Sequence, residues 1–158
     1  QPPLGDNVLA LGQSPIVAVL KPRDATWPAG DVKKLGYQFL GYQLGDKRKP
    51  TFLYKLNDVL VKDYPNPESE GGEFPALHRT LSLTSDKEEL NLFLRPLVAG
   101  SSLEIDDEGV VTVDGEWNLI FEGDVGKAVI RGKELIVPVE LKPRARKYSG
   151  IIKLRYEW

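Results

Sequence analysis

The 158-residue chain contains no cysteine and no methionine. The first absence excludes disulfides, thiolate metal sites, thiol nucleophiles and haem attachment through a C-x-x-C-H motif. It also leaves the redox compartment unreadable from cysteine usage. Charge of one sign is missing too, because 21 Lys and Arg face 23 Asp and Glu for a net −2. A nucleic-acid grip or a polybasic membrane tether needs cations in excess on one face, so no nucleic-acid partner is expected. No apolar run approaches the roughly 18 residues of a membrane span, so no membrane insertion is expected either. Met is absent even at position 1, and the start Gln1-Pro2-Pro3 fits a processed N-terminus or an excised domain.

With 41% hydrophobic and 28% charged residues, the composition is that of a folded globular protein. Helical periodicity is almost missing, whereas period-two alternation and short β-branched runs recur from end to end, each closed by Gly, Pro, Asn or Asp. The pattern predicts strands at Ile16–Leu20, Tyr37–Leu44, Thr51–Leu56, Val59–Tyr64, Leu77–Thr84, Asn91–Leu97, Leu103–Ile105, Val110–Val113, Trp117–Glu122, Ala128–Ile130, Glu134–Leu141 and Gly150–Glu157. Asn57-Asp58 is spaced as a two-residue hairpin turn, so the strands on either side of it are expected to pair antiparallel. Asp107-Glu108-Gly109, Asp114-Gly115 and Gly132-Lys133 carry similar turn chemistry.

Ser85–Leu90 has the cap and acidic residues of a single helical turn, and Pro138 places its strand at an edge or a bulge. Two stretches break the meander: the Pro-rich residues 1–36, and the acidic, Gly- and Pro-rich residues 65–76, which read as a mobile surface loop. The fold class that follows is all-β: a single domain over residues 1–158, an antiparallel β-sandwich or distorted barrel of about 10–12 short strands. Residues 1–36 are expected to pack on it.

Residues with chemistry are few. His78 is the only histidine, and alternation puts it with Thr80 and Ser82 on a solvent-facing side. Arg79 falls on the apolar side, which requires a buried carboxylate partner or an irregular register. Asp106, Asp107, Glu122 and Asp124 are the carboxylates from which an acid–base pair would be drawn, although acidic residues in β-turns are expected on conformational grounds alone. The basic run Lys142–Lys147 reads as a solvated loop. No metal site and no cofactor fingerprint is present. Aromatic residues are the most suggestive class, because ring faces stack on sugars. Trp117, Phe121, Phe39 and Phe52 are expected in the core. Trp27, Tyr42, Tyr37 and Tyr54 are the binding candidates, with Trp27 and Tyr42 as the stacking rings.

The run Gly36–Leu44, followed by Arg48–Tyr54, Val61-Lys62-Asp63 and His78–Leu83, resembles a β-rich module of large secreted proteins of planctomycete and verrucomicrobial type. Ala25-Thr26-Trp27-Pro28 resembles the entry to the same module, so the resemblance covers residues 25–84. In those proteins the module accompanies haem-binding and dehydrogenase-like domains. The resemblance implies an extracytoplasmic location, periplasmic or secreted, and partners among the other domains or subunits of a larger protein. It carries over no catalytic residue, and the missing C-x-x-C-H excludes haem attachment here. The expected function is a non-catalytic accessory or protein–protein interaction module with carbohydrate as a candidate ligand. The alternatives are a carboxylate-dependent sugar-active enzyme and a purely architectural subunit of a redox complex.

Overall fold

A computed structural model describes residues 16–28, 33–45, 49–68, 76–97 and 102–157. These contain no helix. Their strands are β1 (Val17–Val19), β2 (Tyr37–Leu44), β3 (Pro50–Leu56), β4 (Val59–Glu68), β5 (Ala76–Ser85), β6 (Leu92–Leu94), β7 (Leu103–Ile105), β8 (Val111–Val113), β9 (Trp117–Gly123), β10 (Val129–Arg131), β11 (Glu134–Pro138), β12 (Lys142–Arg144) and β13 (Lys147–Glu157). They form two antiparallel sheets in a sandwich-like arrangement that does not close into a barrel. The large sheet runs β2-β3-β4-β5-β13-β9-β8-β7, with β12 paired to β13, and the small one runs β1-β6-β11-β10.

Alternation fixes which residues meet between the sheets. On β5, Leu77, Arg79, Leu81 and Leu83 point inward while His78, Thr80 and Ser82 are half-exposed. Val59 and Val61 of β4, Leu119 of β9 and Ile152 and Leu154 of β13 join them in one buried cluster with Val17, Leu92, Leu94, Leu135 and Val137 of the small sheet. The strands β6 and β11 at the middle of the small sheet are buried on both sides, which explains why they read as continuous apolar runs rather than alternating ones. Its second face carries Ala18, Phe93 and Ile136, and is covered by Leu20 and Trp27.

The expected meander is present. Strands β2, β3 and β4 pair antiparallel in succession, and Leu56 opposes Val59 across the Asn57-Asp58 turn. Only Asn57 takes the left-handed conformation there, at φ 52°. Four expectations are corrected. Pro65–Glu68 extend β4 instead of opening a loop, because β5 continues alongside to Ala76; residues 69–75 of the predicted loop lie outside the described residues. Ser85–Leu90 form no helical turn, since Ser85 ends β5 and its Oγ accepts the Lys87 N–H. The strand of Pro138 lies between β6 and β10 rather than at an edge; Pro138 is its last residue, beyond the stretch paired with β10, so no ladder donor is lost. The basic run is a hairpin, β12 to β13, turning through Ala145 (φ 50°) and Arg146 (φ 70°).

Asp124 marks the point where the chain leaves the large sheet for the small one. Its N–H donates to Ile151 O, its Oδ2 accepts the Ile151 N–H at 2.9 Å, and its carbonyl accepts the Glu140 N–H. Lys142 and Arg144 reach its Oδ1 at 3.3 and 3.7 Å. The preceding Gly123 admits no side chain, because a Cβ there would lie 2.1 Å from Ile151 O. The Ile151 N–H, followed by the two cations, outweighs the opposing effect of burial and holds the Asp124 carboxyl below the ordinary aspartate range. A carboxylate with a depressed folded-state pKa stabilises the fold above its unfolded value, and that contribution is lost as pH falls through the folded one. Stability followed by thermal melting is therefore expected to fall on acidification below the ordinary aspartate range. Asp124→Asn should flatten part of that dependence, and an unchanged profile would remove Asp124 from this role.

Candidate functional site

The described residues expose one long sheet edge. The other edge strands of the large sheet, β7 and β12, and both edges of the small sheet, β1 and β10, are three residues long. Strand β2 has eight, Tyr37-Gln38-Phe39-Leu40-Gly41-Tyr42-Gln43-Leu44, with neither charge nor proline. Such an edge offers a row of backbone N–H and C=O groups to another strand, and the usual means of blunting it are absent apart from one bulge.

The bulge determines what that edge presents. Phe39 opposes Tyr54 and Gly41 opposes Leu53, so Leu40 is the extra residue. Gly41 sits at φ +113°, a conformation that side chains rarely permit. The inserted residue shifts the alternation, so Tyr37 and Phe39 before it share one face with Tyr42 and Leu44 after it. That face is the core side of the sheet, where the β3 neighbours are Leu56, Tyr54, Phe52 and Pro50. Only the end nearest the small sheet is covered. Tyr37 is buried, whereas Phe39 is 66% exposed, Tyr42 62% and Leu44 53%. The Tyr42 and Phe52 rings stand 6.5 Å apart at 52° to one another. The result is an apolar corner on the core side of an open strand.

The four binding candidates are not brought together as exposed rings. Tyr42 alone lies in the open corner. Tyr37 is packed inside, where its hydroxyl donates to Val17 O at 2.5 Å and burial pushes its pKa up. Tyr54 has a buried hydroxyl that finds no hydrogen-bond partner among the described residues, and its pKa is raised by burial first and then by Asp63. Trp27 is 4% exposed, and its ring lies 5.2 Å beneath the Arg95 guanidinium. That guanidinium is itself fixed by Glu134, whose Oε2 accepts from Arg95 Nη1 at 2.8 Å and whose Oε1 accepts from Arg131 Nε at 2.5 Å. Phe39, expected in the core, belongs to the exposed corner instead. The signal for this was present in the order of residues: the apolar positions change phase at Gly41, as a bulge requires.

Beside this corner, on the same face, lies the one buried ion pair of the described residues. Asp63 of β4 opposes Phe52 of β3 and is 3% exposed; Arg79 of β5 is 2% exposed. Arg79 Nε donates to Asp63 Oδ1 at 2.8 Å and Nη2 to Oδ2 at 2.5 Å, a two-point fork. Burial works against the guanidinium's charge, but Asp63 more than offsets it, so the Arg79 pKa is raised. Tyr156 completes the cluster. Its hydroxyl donates to Pro96 O at 3.1 Å, and its pKa is raised by burial, against the lowering effect of Arg79. Of the two explanations open for an arginine on an apolar strand face, the buried carboxylate is the one realised. Asp63 stands in phase with Val59 and Val61, which is how the sequence marks it as inward-facing.

The remaining candidates serve local structure. Asp106 Oδ1 accepts the N–H groups of Glu108 and Val110, both at 2.9 Å, and so builds its own turn. Asp106 and Asp107 border one shallow depression with Phe121 and Lys127, while Glu122 and Asp124 border another with Ile151 and Lys153. His78 is on the outer face of the large sheet, with its Nε2 3.4 Å from Arg155 Nη1. Among the described residues no group of three or more His, Asp or Glu is arranged to hold a metal ion. Comparison with known proteins adds no relative: no protein-family model, no curated protein and no solved structure matches this chain.

Proposed function

We propose that this chain is a non-catalytic interaction module of a larger extracytoplasmic protein, and that it captures an extended segment of a partner by strand addition along β2. The observation that carries this reading is the open, uncharged edge of β2 beside exposed Phe39, Tyr42 and Leu44. Backbone hydrogen bonds supply affinity in this mode, and alternate side chains falling into an apolar corner supply selectivity. The extracytoplasmic setting rests on the resemblance of residues 25–84 to a module of secreted proteins. Carbohydrate stacking is the second reading, favoured by the exposure of Tyr42. The 52° tilt of Phe52 leaves it a single ring rather than a continuous flat platform.

A soluble peptide of alternating Val and Thr, titrated by fluorescence anisotropy, tests the first reading. The native chain should bind it, and Tyr42→Lys should abolish binding at an unchanged melting temperature, since a lysine on an open edge opposes pairing without touching the core. Equal binding by the native chain and Tyr42→Lys would refute the assignment to β2.

A further inference from the structure

We infer that the strand taken by β2 is amphipathic, apolar on one face and acidic on the other. This inference rests on the strand-addition reading and adds the chemistry of the partner. The core side of the β2 edge is the apolar corner already described. The opposite side is cationic. Lys55 of β3 opposes Gln38 of β2, and Lys62 of β4 opposes Leu53 of β3; both are exposed. Among the described residues neither has a hydrogen bond or ion pair with a carboxylate. Asp58, the exposed acid three residues beyond Lys55, is engaged by Lys87 at 3.5 Å. Among the described residues, exposed positive charge thus lies on the one side of the open edge that is not apolar.

A strand added to β2 would lie two strand spacings from β3, about 10 Å, within the combined reach of lysine and glutamate side chains. Its side chains alternate between the two faces. One set would therefore meet Phe39, Tyr42 and Leu44, while the other would meet the field of Lys55 and Lys62, which extends about 8–10 Å at moderate ionic strength. The same charges argue against a second copy of this chain as the occupant. Two β2 strands paired antiparallel about a two-fold axis would put both Lys55 side chains on one surface. Like charges at such a seam oppose association.

The test compares three soluble peptides of equal length, alternating Val-Glu, Val-Thr and Val-Lys, titrated against the native chain and the double variant Lys55→Glu/Lys62→Glu. At low salt the native chain should bind Val-Glu about tenfold more tightly than Val-Thr, with Val-Lys weakest. The order should compress at high salt and reverse in the double variant, whose exposed substitutions leave the melting temperature unchanged. Equal affinity for all three peptides would overturn the acidic partner while leaving strand addition standing. Binding of none would overturn both. A dimer in sedimentation that Tyr42→Lys dissolves would assign the edge to a second copy and overturn this inference.

Discussion

Asp63→Ala is expected to cost about 3–5 kcal/mol of folding stability, because it leaves the Arg79 guanidinium buried without its counter-ion. Arg79 is 2% exposed and sits among Leu81, Leu154 and Tyr156, none of which replaces a carboxylate. Arg79→Ala should cost a similar amount for the mirror-image reason. The double replacement Asp63→Leu/Arg79→Met should recover most of the loss, since removing both charges removes the cost of burying them. Recovery would show that the pair is tolerated by the fold rather than required by it. Tyr54→Phe provides a third reading of the same cluster. The hydroxyl is buried without a partner among the described residues, so deleting it should be neutral or stabilising by up to about 1–3 kcal/mol. Urea titrations of the four variants measure all of these. A loss below about 1 kcal/mol for Asp63→Ala would mean that Arg79 reaches solvent or another acceptor.

Trp27→Ala should be comparably damaging, at about 3–5 kcal/mol. The indole closes the second face of the small sheet over Ala18, Phe93 and Ile136, and it supports the Arg95 guanidinium, which continues into Glu134 and Arg131. Its removal opens a cavity and takes away a cation–π contact together. Tyr42→Ala provides the contrast, because an exposed ring on an edge strand has little to lose; its effect on stability should stay within about 0.5 kcal/mol. The two rings paired by the sequence as stacking candidates are thus separated by one pair of melting curves. Equal melting temperatures for the two variants would contradict the packing described for Trp27.

How much of this was legible in the sequence follows from how local each feature is. Alternation and turn chemistry depend on neighbouring residues, so β2 and β7 were delimited to the residue, and the Asn57-Asp58 hairpin was readable. The inward direction of Arg79 was readable for the same reason. Features set by contacts distant in sequence were not. Residues Lys142–Arg144 form a strand only because β13 extends back to Lys147 beside them. Trp27 is buried by Phe93 and Ile136, which follow it by 66 and 109 positions and give no local sign. Pro138 has the composition of an edge residue, yet it sits inside a sheet because it comes last in its strand. The corner at Phe39 and Tyr42 was half legible. The rings and the phase change at Gly41 are local, but the small sheet's failure to reach that far is a fact of the whole fold. The charge asymmetry across the β2 edge becomes visible only when register places Lys55 and Lys62 on the side opposite Tyr42.

Backbone hydrogen exchange measures most directly the proposed role of β2 as the strand that takes up a partner segment. With the alternating Val-Glu peptide at saturation, the edge-facing amides of residues 37–44 should gain protection, while those of β7 and of the depressions near Asp106 and Asp124 should keep their rates. Unchanged exchange along β2, or protection confined to another edge, would contradict it.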